Sequence, residues 1–163
     1  MSDWYQGALK DQGRGLACAV YKGQTAVAIV AEVKIDHAAK EVCINRIWCA
    51  QDCGLVINPS QVENQIMGNI VWGCSMALKE RITITAGEVE ESNFDTYEIL
   101  RHDETPEMTV ALIDAPEQPP VAVGESAFGP VAPAIANAVF AATGRRIRNL
   151  PISYDSLFSN GDA

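Results

Sequence analysis

The chain is 163 residues long and 48% hydrophobic, which suits one domain with a buried core. Its 21 acidic against 12 basic residues give a formal charge of −9, which opposes a phosphate backbone and excludes nucleic acid as the expected partner. No basic start leads into an apolar stretch, and the longest apolar runs, such as residues 26–31, are too short to cross a bilayer, so neither an export signal nor a membrane span is expected.

In chain order, residues 16–21, 24–36 and 41–50 are rich in Val, Ile and Ala, with breaks at Lys22-Gly23 and at residues 37–40. They predict a three-stranded antiparallel meander. Val27, Ile29, Ala31, Val33 and Ile35 alternate onto one face, and Glu32, Lys34 and Asp36 fall on the other, which should be wet near its edge. Residues 51–54 form a turn in which Asp52 accepts from backbone amides and Cys53 is structural.

From there the period changes: Val62, Ile66, Ile70, Cys74 and Leu78 step by four, predicting a helix over about 59–79. Asn58 suits its N-cap and Pro59 its first position, while Gly68 and Gly73 cost helix stability and point to something packed closely against it. Strands follow near residues 82–89 and 108–113, and Pro116, Pro119 and Pro120 mark an irregular crossing.

A second helix is expected over about 130–143, with Ala134, Ile135, Ala138, Val139 and Ala142 on one face and Gly144 as its stop. A last strand is expected at residues 145–152 and a frayed tail at 154–163, leaving one domain over 1–153. The pattern is that of an α+β, two-layer domain of mainly antiparallel strands with two main helices. Five cysteines without a CxxC pair, and two histidines, predict ordinary reduced thiols and no protein-bound metal.

Four stretches lie in a telling order: GRGLA at 13–17, DCGLVINP at 52–59, QIMGNIVWG at 65–73 and AVGES at 122–126. With SNFDTYEILR at 92–101 and PAIANAVFAATGRRIRNLP at 133–151, they resemble the carboxy-terminal part of the molybdopterin-binding large subunit of the xanthine dehydrogenase and aldehyde oxidase family. The likeness is closest to isoquinoline 1-oxidoreductase-type and aldehyde-dehydrogenase-type members. It implies a molybdenum-cofactor-binding-domain fold, and a molybdenum hydroxylase that oxidises an N-heteroaromatic or aldehyde substrate with oxygen derived from water.

The same resemblance implies Glu125 as the catalytic general base, aimed by the turn after Gly124 into an enclosed pocket. It implies cofactor contacts from Gln65, whose amide both donates and accepts, and from Gly68 and Gly124, where a missing side chain permits close approach. The amides opening the second helix would face an anionic group near Glu125. Phe94 and Tyr97 are expected in the core. Ser126 departs from the proline often found next in the family, which bears on loop shape.

The family's subunit is several times longer than this chain. The resemblance therefore implies a molybdenum–pterin cofactor shared with the rest of the large subunit, iron–sulfur centres on a partner subunit, and no activity of the chain alone. A split subunit, an excised domain and a vestigial domain kept as a binding module are all compatible with the sequence. An apolar face left where the rest packs would drive self-association of the isolated chain. A cytoplasmic location is expected, or a periplasmic one where a partner carries the signal.

Overall fold

The structure, a computed structural model, describes residues 10–158. The meander forms as expected: β1 (Gln12–Tyr21), β2 (Thr25–Asp36) and β3 (Glu41–Asp52) pair antiparallel in sequence order. Asn45 is an extra residue in the β2–β3 register, so the alternation of β3 shifts there. The five alternating apolar residues of β2, Val27, Ile29, Ala31, Val33 and Ile35, are all buried on the inner face.

Helix α1 (Pro59–Leu78) follows, capped by the Asn58 side chain, which accepts from the Gln61 amide at 3.4 Å. Between α1 and the next sheet strand lies a minimal hairpin, β4 (Ile84–Thr85) and β5 (Glu88–Val89), turning through Ala86 and Gly87 with positive φ. β6 (Glu107–Leu112) joins the sheet beside β3, parallel to it, giving the order β1-β2-β3-β6. α2 (Val131–Thr143) ends at Gly144, left-handed at φ 70°, whose amide bonds Phe140 O at 2.8 Å.

Both helices cover one face of the sheet and enclose one core of Ile29, Ile47, Ile66, Ile70, Ile135 and Val139 with their neighbours. Glycine sets the spacing. An added Cβ at Gly13 would lie 2.2 Å from Ala138 O, and one at Gly15 would lie 2.1 Å from Ala138 N. The α2 backbone therefore rests directly on β1. Gly73 makes the same allowance between helices, since a Cβ there would come 2.7 Å from Val131 Cβ.

Three expectations are corrected. Residues 145–152 form no strand; they run irregularly until the Ile152 amide reaches Ala77 O at 2.7 Å, capping the end of α1. Residues expected to fray form a short helix, α3 (Tyr154–Phe158), with Leu157 in the core and Tyr154 bonded to His37 Nδ1 at 2.9 Å. The remaining tail, 159–163, lies outside the described residues. Phe94 is 92% exposed, so it is no core residue, whereas Tyr97 is partly buried and donates to Glu80 Oε2 at 2.7 Å.

The Cys49 and Cys74 thiols are buried and pushed up to about 12 by desolvation, while Cys18 is exposed on the outer sheet face. At about pH 8, a thiol reagent read out by mass spectrometry should label Cys18 and leave Cys49 and Cys74 unmodified until the chain unfolds. Gly15→Ala should lower unfolding stability by about 3 kcal/mol, because neither backbone at the contact can move without the other; a urea melt within error of the parent would overturn the close approach.

Candidate functional site

The chain from β6 to α2 is irregular because its prolines cannot donate to a ladder. Its backbone groups are met by other elements. The Ile113 amide bonds Gln51 O at 2.9 Å, the Val121 amide bonds Cys53 O at 3.0 Å, and Gln118 O accepts from the Leu55 amide at 3.0 Å. Gly54, at φ 69°, allows this approach, since a Cβ there would meet Pro119 O at 2.2 Å. Asp52 closes the turn as expected, accepting from the Gly54 amide at 3.1 Å.

The AVGES stretch is then pinned at alternate residues. Thr25, buried at the start of β2, donates to Ala122 O at 2.7 Å. Gly124 O accepts from Gln65 Nε2 at 2.6 Å and from Asn69 Nδ2 at 3.0 Å, both from α1. Ser126, only 2% exposed, donates to Gln51 Oε1 at 2.9 Å, which gives the serine in place of proline a definite holding role. Glu125 lies between these anchors, and its Oε1 accepts a hydrogen bond from the Tyr21 hydroxyl.

The structure thus brings Gln65 of α1 together with Gly124 and Glu125, while Gly68 lies three residues further along the same helix with open space beside it. The enclosed pocket expected around Glu125 is a correction: its side chain is exposed, and described residues form no wall over it. Beside it, a cleft of about 450 Å³ runs between the start of α1 and residues 120–124, lined by Leu55, Val62, Val121 and Val123 with Gln65 and Gly124. Phe128 stacks on the exposed Trp72 with centroids 4.3 Å apart.

Nearby polar groups that the sequence left unassigned are Tyr21, Lys22, Thr25, Gln51 and Asn69. Asn69 had a signal, since it follows Gln65 by one helical turn among apolar residues. Tyr21, Thr25 and Gln51 meet the loop across 104, 97 and 75 residues of chain, and no local pattern marks them. The Lys22 ammonium lies 5.1 Å from the Tyr21 ring centroid. The Tyr21 hydroxyl holds its pKa above the usual lysine value, and the Glu125 charge adds to that.

The fit to a molybdenum–pterin group rests on the donors present. Among the described residues no three His, Cys, Asp or Glu side chains gather to hold a metal. Gln65 is exposed and spends its amide nitrogen on Gly124, which leaves its carboxamide oxygen as an acceptor at the surface. An added Cβ at Gly68 or Gly124 would meet nothing within 4 Å, so a flat group can approach both backbones. α2 starts after Pro130 without a side-chain cap. These residues fit one side of a pterin.

The fold is that of the large subunits of molybdenum-containing oxidoreductases. The chain superimposes on quinoline 2-oxidoreductase from Pseudomonas putida 86 with a TM-score of 0.75 and 24% identity, over 82% of this chain and 18% of that one. A model of the molybdopterin cofactor-binding domain matches residues 3–106. The chain belongs to this family, within the molybdenum-binding subunits of xanthine dehydrogenase type.

Among its relatives, a subunit of nicotinate dehydrogenase from Pseudomonas putida is 38% identical over 87% of the chain. The beta subunit of isoquinoline 1-oxidoreductase from Brevundimonas diminuta is 35% identical over 93% of it. The chain spans 13% and 20% of those two relatives' lengths. The match to the domain model ends before Glu125.

The two α1 glycines differ in what surrounds them, so alanine should act oppositely at each. Gly68→Ala should raise unfolding stability by about 0.5–1 kcal/mol, since the helix gains and nothing is displaced. Gly73→Ala should lower it by about 1–3 kcal/mol against Val131. Denaturant melts that moved both variants the same way would contradict the packing.

Proposed function

We propose that this chain supplies the general base and one wall of the cofactor site in a molybdenum hydroxylase, and that Glu125 is the base. The observation that supports this best is the pinned loop: Gly124 O is held twice from α1 while the next side chain projects between the anchors. A general base must first be placed within hydrogen-bond reach of its proton, and a fixed backbone on both sides does that. One carboxylate oxygen is held by Tyr21, which leaves Oε2 to take up the proton.

When bound, the molybdenum–pterin cofactor supplies the redox chemistry and activates the water that provides the inserted oxygen. Gln65 orients it through its amide, while Gly68 and Gly124 let it approach. The names of the two relatives, nicotinate dehydrogenase and isoquinoline 1-oxidoreductase, favour an N-heteroaromatic substrate over an aldehyde.

The apolar cleft beside Gln65 suits a flat ring. The walls that exclude water from Glu125 come from the remaining portion of the large subunit. Iron–sulfur centres on a partner subunit carry electrons away.

The outer sheet face supports that assembly. Leu16, Val20 and Ile113 are exposed, and Val20 and Ile113 line a shallow hollow of about 420 Å³ with Cys18, Ala26 and Ala28. Such a surface is what a covering domain would bury, and in its absence the chain should self-associate through it. No helix among the described residues is long and apolar enough to cross a membrane, and we place the assembled enzyme in the cytoplasm, or in the periplasm where a partner carries the export signal.

In the assembled enzyme, Glu125→Gln should cut turnover at least about 100-fold while molybdenum content stays at the parent level, because the amide keeps the size and loses the base. Turnover near the parent rate would remove Glu125 from the chemistry and favour a non-catalytic role for the domain.

A further inference from the structure

The β1–β2 turn does more than join two strands. Lys22 and Gly23 both have positive φ, at 50° and 70°, and the Gln24 amide bonds Tyr21 O at 3.0 Å, so the hairpin closes in a tight turn whose twist matches its strands. Tyr21 and Thr25 are opposed across that hairpin end. Both reach the AVGES loop: Thr25 bonds the Ala122 carbonyl at 2.7 Å, and the Tyr21 hydroxyl bonds the Glu125 carboxylate.

We infer that Tyr21 is a positioning residue for Glu125, holding one carboxylate oxygen so that the other faces the reacting proton. The inference rests on Glu125 as the base. An exposed glutamate has three rotatable bonds, and fixing one rotamer has an entropic cost that something must offset. A phenol suits this role because it has two side-chain torsions, one apolar body and one donor, and here it sits on a tight turn docked to the loop three residues from its target.

A hydrogen bond to an ionised carboxylate is stronger than one between neutral groups, so the contact is worth more while Glu125 is charged and ready to accept a proton. Lys22, in the turn itself, places its ammonium by the Tyr21 ring and is the nearest cation on that element. The remaining loop anchors, Gln51, Gln65 and Asn69, are uncharged and engage backbone or Ser126. Among the described residues, the one hydrogen bond that orients the Glu125 side chain therefore comes from Tyr21, with the Lys22 charge acting on the carboxylate from the same turn.

Two measurements separate this role from that of Glu125. In the chain itself, labelled with ¹³C at Tyr Cζ, Glu125→Gln should move the Tyr21 resonance, since a charged acceptor becomes a neutral one. A stationary resonance would overturn the contact, whatever Glu125 does in turnover. In the assembled, molybdenum-loaded enzyme, Tyr21→Phe should lower kcat about ten- to a hundredfold with KM little changed.

The same substitution made in the Glu125→Gln background should cause no further loss. Equal losses in both backgrounds would show that Tyr21 acts structurally and would overturn the inference. Tyr21→Phe keeps the ring and its packing, so an unchanged melt is expected alongside the kcat effect. Should Glu125→Gln turn over normally, the base reading falls and the positioning role falls with it, even where the resonance shift shows the two side chains touching.

Discussion

The contact on which the rest of the arrangement depends is the seat of α2 on β1. Two glycines, Gly13 and Gly15, with one residue between them, bring the helix backbone against the strand backbone around Ala134 and Ala138, with no side chain between them. That contact fixes the height of α2 over the sheet. Gly73 then lets α1 close on Val131, the first residue of α2. The AVGES loop leads directly into α2, so its downstream end is placed by packing before any polar contact forms. In this chain the position of Glu125 is a consequence of where glycine occurs in two other elements.

Packing fixes where the loop ends, and hydrogen bonds fix how it runs. A proline-rich segment has few amides of its own to offer its carbonyls, so other elements meet them. Thr25, Gln65 and Asn69 meet two of them from two different elements. This has a cost inside the domain, because Gln51 Nε2 and Asn69 Oδ1 are buried without a protein partner among the described residues. Leaving such atoms unpaired runs against stability, typically by about 1–3 kcal/mol each. A fold selected for stability alone would favour apolar residues at 51 and 69, so their presence is better explained by the loop they hold.

The layout was legible in the sequence wherever a repeat or a cap announced it. The alternation of β2, the four-residue step of α1, Asn58 before Pro59, and Gly144 after α2 each carry local physics that survives in the structure. Failures came where the partner is remote. Residues 145–152 have strand-like composition but pair with neither edge strand of the sheet, β1 or β6, and they are held instead by the end of α1 through Ile152. The helix at 154–158 depends on His37 and on the core under Leu157. Motif order pointed to Gln65, Gly68, Gly124 and Glu125, of which Gln65 bonds the Gly124 carbonyl beside Glu125; Tyr21 carries no local mark because its reason for being there is 104 residues away.

Under the function proposed above, with Glu125 as the base, its exposure is the clearest sign of how the work would be divided. A base needs two things from its surroundings: a fixed direction, and an environment that makes accepting a proton favourable. Direction comes from residues close by in space, and this chain supplies it through Tyr21, Gly124 and the α1 amides. A dry environment comes from bulk that excludes water, and a domain spanning 13–20% of its relatives' lengths does not wall in its own glutamate. The order of assembly follows. The chain can fold with its glutamate already held by Tyr21, and under the function proposed above a covering surface would add the desolvation.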